Sequence, residues 1–348
     1  MSLETGFERV SMPLEAPFTI ARGTQTEAEN VVVRVADDAG TTGVGGAAPS
    51  AHYGETAATV EAVLPALLDA VERVGDPHAL HAIEAELRAV VNGNPAARAA
   101  VSIAVHDLAA KRLGVPLYRL WGLDPSDAPM TSFTIGLDET ERVREKAADA
   151  VAAGYSVLKV KLGTDRDREL IDAVRDAAPD ARLRVDANEA WTPKEAVEKS
   201  AWLAGRDVEF VEQPVPAENP EGLRYVYERS ALPIAADESC VTAADVPAIA
   251  DRCDIANLKL MKTGGLLEAR RVIAAARAHG LAVMCGCMIE SNASIAAAAQ
   301  LAPLLDYADL DGSLLLAEDP YEGVDLADGE IRLADRDRAG TGARPASE

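Results

Sequence analysis

Five charged residues recur at nearly constant steps along the middle of this chain. Lys161, Asp186, Glu212, Asp237 and Lys259 are separated by 25, 26, 25 and 22 residues, and each ends a short apolar run. A strand–loop–helix–loop unit of a (β/α) barrel has this length, because about 250 residues make eight such units. The strands of such a barrel are parallel, so the five side chains are expected to meet at its C-terminal rim, where barrel enzymes carry their active sites.

The preceding residues predict a second, smaller domain. Residues 1–125 lack the barrel period, and a chain of 348 residues exceeds the roughly 250 that a barrel requires. A strand is expected at 29–36, followed by a glycine-rich hairpin turn at 40–46 that lacks the lysine of a phosphate-binding loop. Helical periodicity follows at 55–74, 78–91 and 95–113. This is the pattern of an α+β domain.

The barrel domain itself is predicted over residues 126–317, which makes the fold class α/β. Its first strand is expected at 131–135, the five apolar runs supply strands 2 to 6, and strands 7 and 8 are expected at 281–286 and 307–311. Helices between the strands are expected at 165–178 and 193–203, among others. No full eighth helix is apparent. Residues 318–323 look turn-like and 330–333 strand-like, so segment 318–348 is expected to return to the first domain.

The net charge of the chain argues against two classes of binding partner. A net charge of −23 argues against nucleic acid, whose phosphates need a basic surface, and against anionic membranes. With 26 Arg, 8 Lys and 57 acidic residues, the composition is typical of proteins from salt-loving organisms, whose acidic surfaces are screened by molar salt. No apolar leader and no apolar run of about 18 residues is present, which predicts a cytoplasmic protein. A homo-oligomer is also expected.

Asp186, Glu212 and Asp237 are predicted to bind a metal ion. Each alone could cap a helix or pair with an arginine, but three oxygen ligands on successive strands favour Mg²⁺, with Mn²⁺ as a substitute. Zn²⁺ is poorly matched because no histidine or cysteine joins them. The Cys285 and Cys287 pair is interpreted as core packing, because no second pair at zinc spacing accompanies it.

Half of the eight lysines lie in two short segments, as Lys159, Lys161, Lys259 and Lys262. A lysine can act as a base when its pKa is lowered, whereas arginine cannot. Lys159 and Lys161 share one face of a strand at about 6.6 Å, and their repulsion is expected to lower the pKa of one of them. A lone Lys-x-Lys would be a solvated strand end, but the carboxylates on the next three strands favour a base.

Lys259, on strand 6, is expected to lie across the barrel from Lys161 on strand 2. Two lysines on opposite faces of a bound substrate could exchange one proton, one removing it and the other returning it. A cation would neutralise the charge that develops on a substrate carboxylate. The predicted reaction is a 1,1-proton transfer next to a carboxylate, which is a racemisation or an epimerisation.

These residues resemble the enolase superfamily, and most closely its mandelate racemase/muconate-lactonizing subgroup, in which Lys-x-Lys ends the second strand and a lysine ends the sixth. The resemblance spans nearly the whole chain and implies a capping domain and a (β/α)7β barrel. It implies that Lys161 and Lys259 are acid/bases, that Lys159 tunes Lys161 or contacts the substrate carboxylate, and that the three acidic residues bind Mg²⁺. Lys262 is the less favoured alternative to Lys259. Gly45-Gly46-Ala47 departs from relatives that carry a glutamate there, which affects capping-domain packing.

Within that subgroup, Asp309-Leu310-Asp311 resembles the Asp-x-Asp motif with which dipeptide epimerases bind a substrate ammonium, although a strand-end turn would also explain it. Residues 18–23 and 284–291 resemble the same group. The resemblance adds Thr134 and Met288 as substrate contacts, and Arg22 as a partner for a glutamate side chain. It implies an isomerase, a Mg²⁺-dependent dipeptide epimerase. The alternatives are an N-acylamino acid racemase, a muconate-type cycloisomerase, or a barrel kept as a binding protein, which the complete set of charged residues disfavours.

Overall fold

The computed structural model describes residues 2–334 and 338–346, which form a mixed α/β protein. The N-terminal part pairs an antiparallel sheet, in the order β1-β2-β3, with a group of helices. Its elements are β1 (Leu3–Ile20), β2 (Gly23–Asp37), β3 (Thr42–Ala47), α1 (Ala57–Val74), α2 (Leu80–Val90), α3 (Pro95–Leu113) and α4 (Leu117–Leu120). The expected strand and three helices are all present.

The helix boundaries follow from local capping chemistry. Thr56 and Thr59 form a reciprocal capping box at the start of α1, and Gly75 ends that helix in the left-handed conformation. Helix α3 begins at Pro95, whose missing N–H costs nothing in a first turn, and ends before Gly114 at φ 68°. The observed bounds of α3 are those expected from the sequence.

Two expectations for the N-terminal part were wrong. Strand β1 was not expected, and it forms a long hairpin with β2 in which Ile20 pairs with Gly23. The glycine-rich segment is a turn only over residues 38–41, because β3 begins at Thr42. Gly43 and Gly45 face α3, where an added Cβ would lie 2.0 Å from the carbonyl oxygen of Ala104 and 2.1 Å from that of Ala100 respectively. These glycines therefore allow the helix to lie directly on the strand.

The second part is a curled parallel sheet with helices in its connections. In the described residues its strands, in spatial order, are β4 (Phe133–Ile135), β5 (Val157–Lys161), β6 (Arg182–Asp186), β7 (Val208–Glu212), β8 (Ile234–Ala236), β9 (Ile255–Leu258), β10 (Ala282–Cys285) and β11 (Tyr307–Ala308). The helices are α5 (Thr140–Ala152), α6 (Asp167–Ala177), α7 (Pro193–Ala204), α8 (Pro220–Tyr227), α9 (Val246–Ile249), α10 (Leu260–Thr263), α11 (Leu266–Ala278) and α12 (Asn292–Ala299). A parallel bridge between Thr131 and Ala308 joins the two edges.

One layer of side chains inside this sheet combines aromatic rings with a buried arginine. Arg184 and Phe210 lie two residues before Asp186 and Glu212 on their strands, and so on the same face. The Arg184 guanidinium lies 5.4 Å from the Phe210 ring centroid and 5.1 Å from that of Tyr307, and it donates a hydrogen bond to the Ala308 carbonyl. This layer supports the strand ends that carry the charged residues.

The C-terminal segment runs back along the N-terminal part. Strands β12 (Tyr321–Glu322) and β13 (Arg344–Pro345) pair with each other, and isolated bridges join Leu14 to Leu316 and Pro116 to Gly340. The strand expected at 330–333 was wrong, because that stretch is irregular apart from one bridge between Arg332 and Asp325. The division of the chain near residue 125 stays a prediction. Among the described residues, no helix is both long and apolar enough to cross a membrane.

Candidate active site

The three acidic residues expected to bind a metal meet at the carboxyl ends of neighbouring strands. In the sheet register, Asp186 lies beside Lys161 on one side and beside Glu212 on the other. Asp237 directly follows β8, the next strand. One carboxylate oxygen from each of Asp186, Glu212 and Asp237 lies within 4.8 Å of the others, and all three residues are fully buried.

Each expected lysine contacts one or more of these carboxylates. Lys161 Nζ lies 2.6 Å from Asp186 Oδ2, and Lys259 Nζ lies 2.6 Å from Asp237 Oδ2. Lys159 Nζ lies 2.7 Å from Glu212 Oε2. The three lysines line a cavity of about 430 Å³, whereas the carboxylates lie behind them. The amines are therefore the groups of this cluster that a ligand in the cavity would meet first.

Lys161 and Lys259 approach the cavity from opposite sides. Lys161 ends β5 and Lys259 directly follows β9, and these strands are four places apart in the sheet. Because the Thr131–Ala308 bridge joins the sheet edges, the path through β4, β11 and β10 is also four steps. A Cβ at Gly286 would lie 2.9 Å from Lys259 Cε, so a larger residue there would require the end of the lysine side chain to shift.

Two asparagines donate hydrogen bonds that orient the carboxylates. Asn188 donates to Asp186 from its main-chain N–H at 2.8 Å and from its side chain at 3.2 Å. The side chain of Asn257 donates to Glu212 Oε1 at 2.8 Å. Sequence reasoning missed both asparagines. Their spacing was a usable signal, since each lies two residues from a predicted site residue.

Lys262 does not replace Lys259 as the amine at the cavity. Its side chain is fully buried, and among the described residues it is absent from the cavity lining. It donates to both the main-chain and the side-chain oxygen of Asp237. The structure thus assigns the two lysines of this segment to different positions, with Lys259 at the cavity.

The electrostatics of the cluster differ from the expectation based on the lysine pair. Burial lowers the pKa of Lys159, but the carboxylates of Asp309, Glu212 and Asp186 outweigh burial and raise that pKa well above its ordinary value. For Lys259, Asp237 and Glu212 likewise outweigh burial and raise the pKa. For Lys159 the direction is therefore opposite to the lowering expected from lysine repulsion.

The donor set fits a hard divalent cation. Burial, together with the negative charge of Asp186, raises the pKa of the Glu212 carboxyl to about 7. Burial is the larger cause, and the remaining part reflects repulsion from Asp186 and Asp237, which a cation bound between the carboxylates would relieve. All candidate ligand atoms are oxygens, the set that Mg²⁺ prefers. A cation held by these residues would take over the charge compensation that the lysine amines provide.

Asp309 and Asp311, expected to bind an ammonium group, both line the cavity. Asp309 accepts hydrogen bonds from Lys159 Nζ at 2.7 Å and from the Ser132 hydroxyl at 2.5 Å. Asp311 accepts one from the Thr134 main-chain N–H at 2.5 Å, and burial and the charge of Asp309 raise its pKa to about 7. The pair therefore presents negative charge that a cationic ligand group would stabilise.

The N-terminal part covers the other side of the cavity. Arg22, at the tip of the β1–β2 hairpin, lines the cavity together with Thr134 and Met288, and their contact with a substrate stays a prediction. Its guanidinium already has acidic partners, because it donates to Glu238 at 2.8 Å and to Glu189 at 3.2 Å. Sequence reasoning missed both glutamates, and no local pattern marks them as partners of a residue that precedes them by more than 160 positions.

Comparison with protein families and solved structures covers both parts of the chain. Residues 3–122 match the mandelate racemase / muconate lactonizing enzyme N-terminal domain, and residues 142–348 match the enolase C-terminal domain-like family. The L-Ala-D/L-Glu epimerase of Bacteroides thetaiotaomicron is 39% identical over 326 residues, covering 93% of this chain and 84% of that protein. The hydrophobic dipeptide epimerase of Roseobacter litoralis is 38% identical over 341 residues, covering 96% and 97%.

A solved structure extends the likeness to the whole fold. The dipeptide epimerase of Enterococcus faecalis, in complex with Mg and the dipeptide L-Leu-L-Tyr, superposes with a TM-score of 0.90 at 34% identity, covering 99% of both chains. The chain therefore belongs to the enolase superfamily, in the group that joins the mandelate racemase / muconate lactonizing N-terminal domain to an enolase-like C-terminal domain.

Proposed function

We propose that the chain is a Mg²⁺-dependent dipeptide epimerase, an isomerase that inverts the carbon next to the carboxylate of a dipeptide. One observation carries this proposal. Lys161 and Lys259 enter one cavity from opposite strands, and each contacts a different member of a buried group of three carboxylates. An enzyme that inverts a carbon centre needs a proton acceptor on one face and a proton donor on the other.

The proposed architecture is a closed (β/α)7β barrel with an N-terminal capping domain. The Thr131–Ala308 bridge and the hydrogen bond from the Ser132 main-chain N–H to the Ala308 carbonyl link the first strand to the last. Helices lie in each of the connections from β4 to β11, and a short 3₁₀ turn follows β11. Closure matters for function, because it places β5 and β9 across the cavity from each other.

The lysine amines would carry the proton. In one direction Lys161 Nζ, once neutral, takes the proton from the substrate α-carbon, and Lys259 Nζ delivers a proton to the opposite face. In the other direction the two residues exchange roles. Asp186, Glu212 and Asp237 would hold Mg²⁺, which when bound supplies positive charge to stabilise the developing negative charge of the substrate carboxylate. Lys159, between Asp309 and Glu212, would contact that carboxylate or tune Lys161.

The far end of the substrate would meet Asp309 and Asp311. A free dipeptide carries an α-ammonium group, and two carboxylates at the cavity wall are a suitable charge partner for it. Two similar proteins are named L-Ala-D/L-Glu epimerase and hydrophobic dipeptide epimerase, and both names describe dipeptide substrates. The similarity supports the same substrate class for this chain. An N-acylated amino acid has no ammonium to place there, so this pair favours a dipeptide over the substrate of an N-acylamino acid racemase.

Hydrogen exchange at the substrate α-carbon tests the proposal. The enzyme is incubated with Mg²⁺ and L-Ala-L-Glu in D₂O, and deuterium incorporation and appearance of the L,D isomer are followed by NMR. We expect both, and both should stop after chelation of the metal. A protein that incorporates no deuterium from any member of a dipeptide library would exclude an epimerase and favour a binding role.

Asp311→Asn separates a dipeptide epimerase from an N-acylamino acid racemase. The substitution removes the negative charge but keeps the size of the side chain, so kcat/KM for free dipeptides should fall roughly 30-fold. Exchange of an N-acetylated amino acid should change much less. An equal loss for both substrates would show that Asp311 does not serve an ammonium group.

Three further predictions accompany the proposal. We infer that the excess of acidic residues adapts the surface to molar salt, that the protein is cytoplasmic and that it forms a homo-oligomer. The capping domain is proposed to comprise residues 1–125 with segment 318–348, and the barrel residues 126–317.

A further inference from the structure

Lys262 is a buried amine beside the site that the proposed proton transfer does not use. It lies on α10, three residues after Lys259, and its side chain is fully buried. Burying an ammonium group is costly unless it is paired and hydrogen-bonded. Its contacts must therefore account for its presence.

The Lys262 amine has three acceptors within reach. Nζ donates to Asp237 Oδ1 at 2.5 Å, to the Asp237 main-chain carbonyl at 2.5 Å and to the Asn257 main-chain carbonyl at 2.8 Å. A lysine has three N–H donors, and these three acceptors use all of them. Two of the three belong to Asp237, so one amine fixes both the backbone and the side chain of that residue.

This arrangement divides the two oxygens of Asp237 between two lysines. Oδ1 accepts from Lys262, and Oδ2 lies 2.6 Å from Lys259 Nζ. On the other side of the site, Asp186 Oδ2 lies near Lys161 and Lys159, at 2.6 and 3.3 Å, whereas its Oδ1 accepts from the neutral main-chain N–H of Asn188 at 2.8 Å. A charged donor holds a carboxylate more strongly than an amide does. The two carboxylates therefore differ at the oxygen that does not contact a proposed acid/base, because Oδ1 of Asp237 has a charged donor and Oδ1 of Asp186 has a neutral one.

We propose that Lys262 is a positioning residue for Lys259 and for the cation site. It locks Asp237 Oδ1 so that only Oδ2 remains for Lys259 and a divalent cation, and its charge weakens cation binding at that ligand. The role rests on the proposed function, in which Lys259 serves one face of the substrate. Lys262 is not itself an acid/base, because it is sealed from the cavity and its donors are all engaged.

Lys262→Met tests this role with two readouts. Loss of the positive charge should make Mg²⁺ bind roughly fivefold more tightly, measured by calorimetry on the metal-free protein. Loss of the lock should slow deuterium exchange by about tenfold for the isomer that depends on Lys259, as identified with Lys259→Ala. Exchange of the other isomer should change by less than about threefold. General damage to the fold would weaken Mg²⁺ binding and slow the exchange of both isomers. It cannot produce tighter Mg²⁺ binding together with slower exchange of one isomer.

Lys199→Met is the matched control. Lys199 also pairs with a buried carboxylate, that of Asp167, but it lies outside the cluster. This variant should leave the Mg²⁺ affinity and both exchange rates unchanged. A Lys262→Gln variant, which is neutral but keeps a polar tip, should repeat the tighter Mg²⁺ binding.

Several outcomes would overturn the role of Lys262. The first is weaker or unchanged Mg²⁺ binding, and the second is an equal loss of exchange from both isomers. The third is failure of both Lys262 variants to fold, which would show that Lys262 is required for folding rather than for positioning Asp237. If the wild-type protein exchanges neither isomer, the proposed function fails instead, and the calorimetric comparison still decides whether Lys262 acts on the cation site.

Discussion

Among the buried charged groups in the described part of the chain, two clusters differ in their relation to the cavity, because one borders it and the other does not. The rim cluster comprises Lys159, Lys161, Lys259, Asp186, Glu212 and Asp237, and its lysines line the cavity. The α3 cluster comprises Asp107, Lys111 and Thr341, which are absent from that lining. Asp107 accepts from Thr341 N–H at 2.7 Å through one oxygen, and from Val44 N–H at 2.9 Å and Lys111 Nζ at 2.7 Å through the other.

Burial and shifted pKa values alone do not distinguish the two clusters. Burial raises the pKa of Asp107 just as it raises that of Glu212. The difference is in how the charge is compensated. Each oxygen of Asp107 has donors from neighbouring segments, whereas three carboxylates of the rim cluster converge within 4.8 Å of one another. The α3 cluster is therefore a joint between segments, whereas the rim cluster concentrates three carboxylates and three lysine amines beside a cavity, as a binding site does.

The largest expected effect concerns the lysines of the rim cluster. Lys161→Ala should lower exchange from one stereoisomer by about 10³-fold, and Lys259→Ala should do so for the other, because each removes the base on one face. Deuterium incorporation from L-Ala-L-Glu and L-Ala-D-Glu, followed separately by NMR, measures both. If either variant exchanges both isomers at the wild-type rate, the assignment of two bases is wrong.

Asp107→Ala tests the α3 cluster in the same way. It should lower the free energy of unfolding by about 3 kcal/mol, because the buried main-chain N–H groups of Val44 and Thr341 lose their acceptor and the partly buried Lys111 loses its counter-charge. Chemical denaturation measures this loss, with Asp38→Ala as a control at an exposed aspartate. The folded variant should keep its kcat. A stability loss no larger than that of the control would mean that Asp107 does not join the segments.

The rim cluster could be predicted from the sequence because its information is local. Each residue ends an apolar strand, and a constant step places strand ends at one rim. Three of the five repeating residues, Lys161, Asp186 and Glu212, end their strands in the structure as expected. The other two lie one residue beyond β8 and β9, which changes nothing about where their side chains meet.

The α3 cluster and the cavity edge could not be predicted because their partners are distant in sequence. Asp107 and Thr341 are separated by 234 positions, and Arg22 and Glu238 by 216. No spacing rule links such pairs. Strand β1 was missed for another reason. Much of it is exposed, so it lacks the strict alternation of apolar and polar residues that marks a half-buried strand.

His106, which precedes Asp107 on α3, gives the stability of the protein a pH dependence. Burial lowers the pKa of His106 from 6.5 to about 4, and its Nε2 has no hydrogen-bond partner among the described residues. Between these values the unfolded chain binds a proton that the folded chain excludes, so this contribution to stability is lost as the pH falls. The free energy of unfolding of wild type relative to His106→Leu should fall by up to about 3 kcal/mol between pH 7 and pH 4. Parallel pH profiles in urea denaturation would contradict the shift.

The smallest effect is expected where the N-terminal part meets the rim cluster. Arg22→Met leaves Glu189 and Glu238 without their shared guanidinium at the cavity edge, which should repel an acidic substrate side chain. The KM for L-Ala-L-Glu should rise about fivefold relative to that for L-Ala-L-Leu, with little change in kcat. The control is Arg9→Met, which removes the ion pair between Arg9 on β1 and Glu61 on α1. If both dipeptides lose affinity equally, Arg22 serves to tie the hairpin to the barrel, and the substrate side chain is selected by other residues of the cavity.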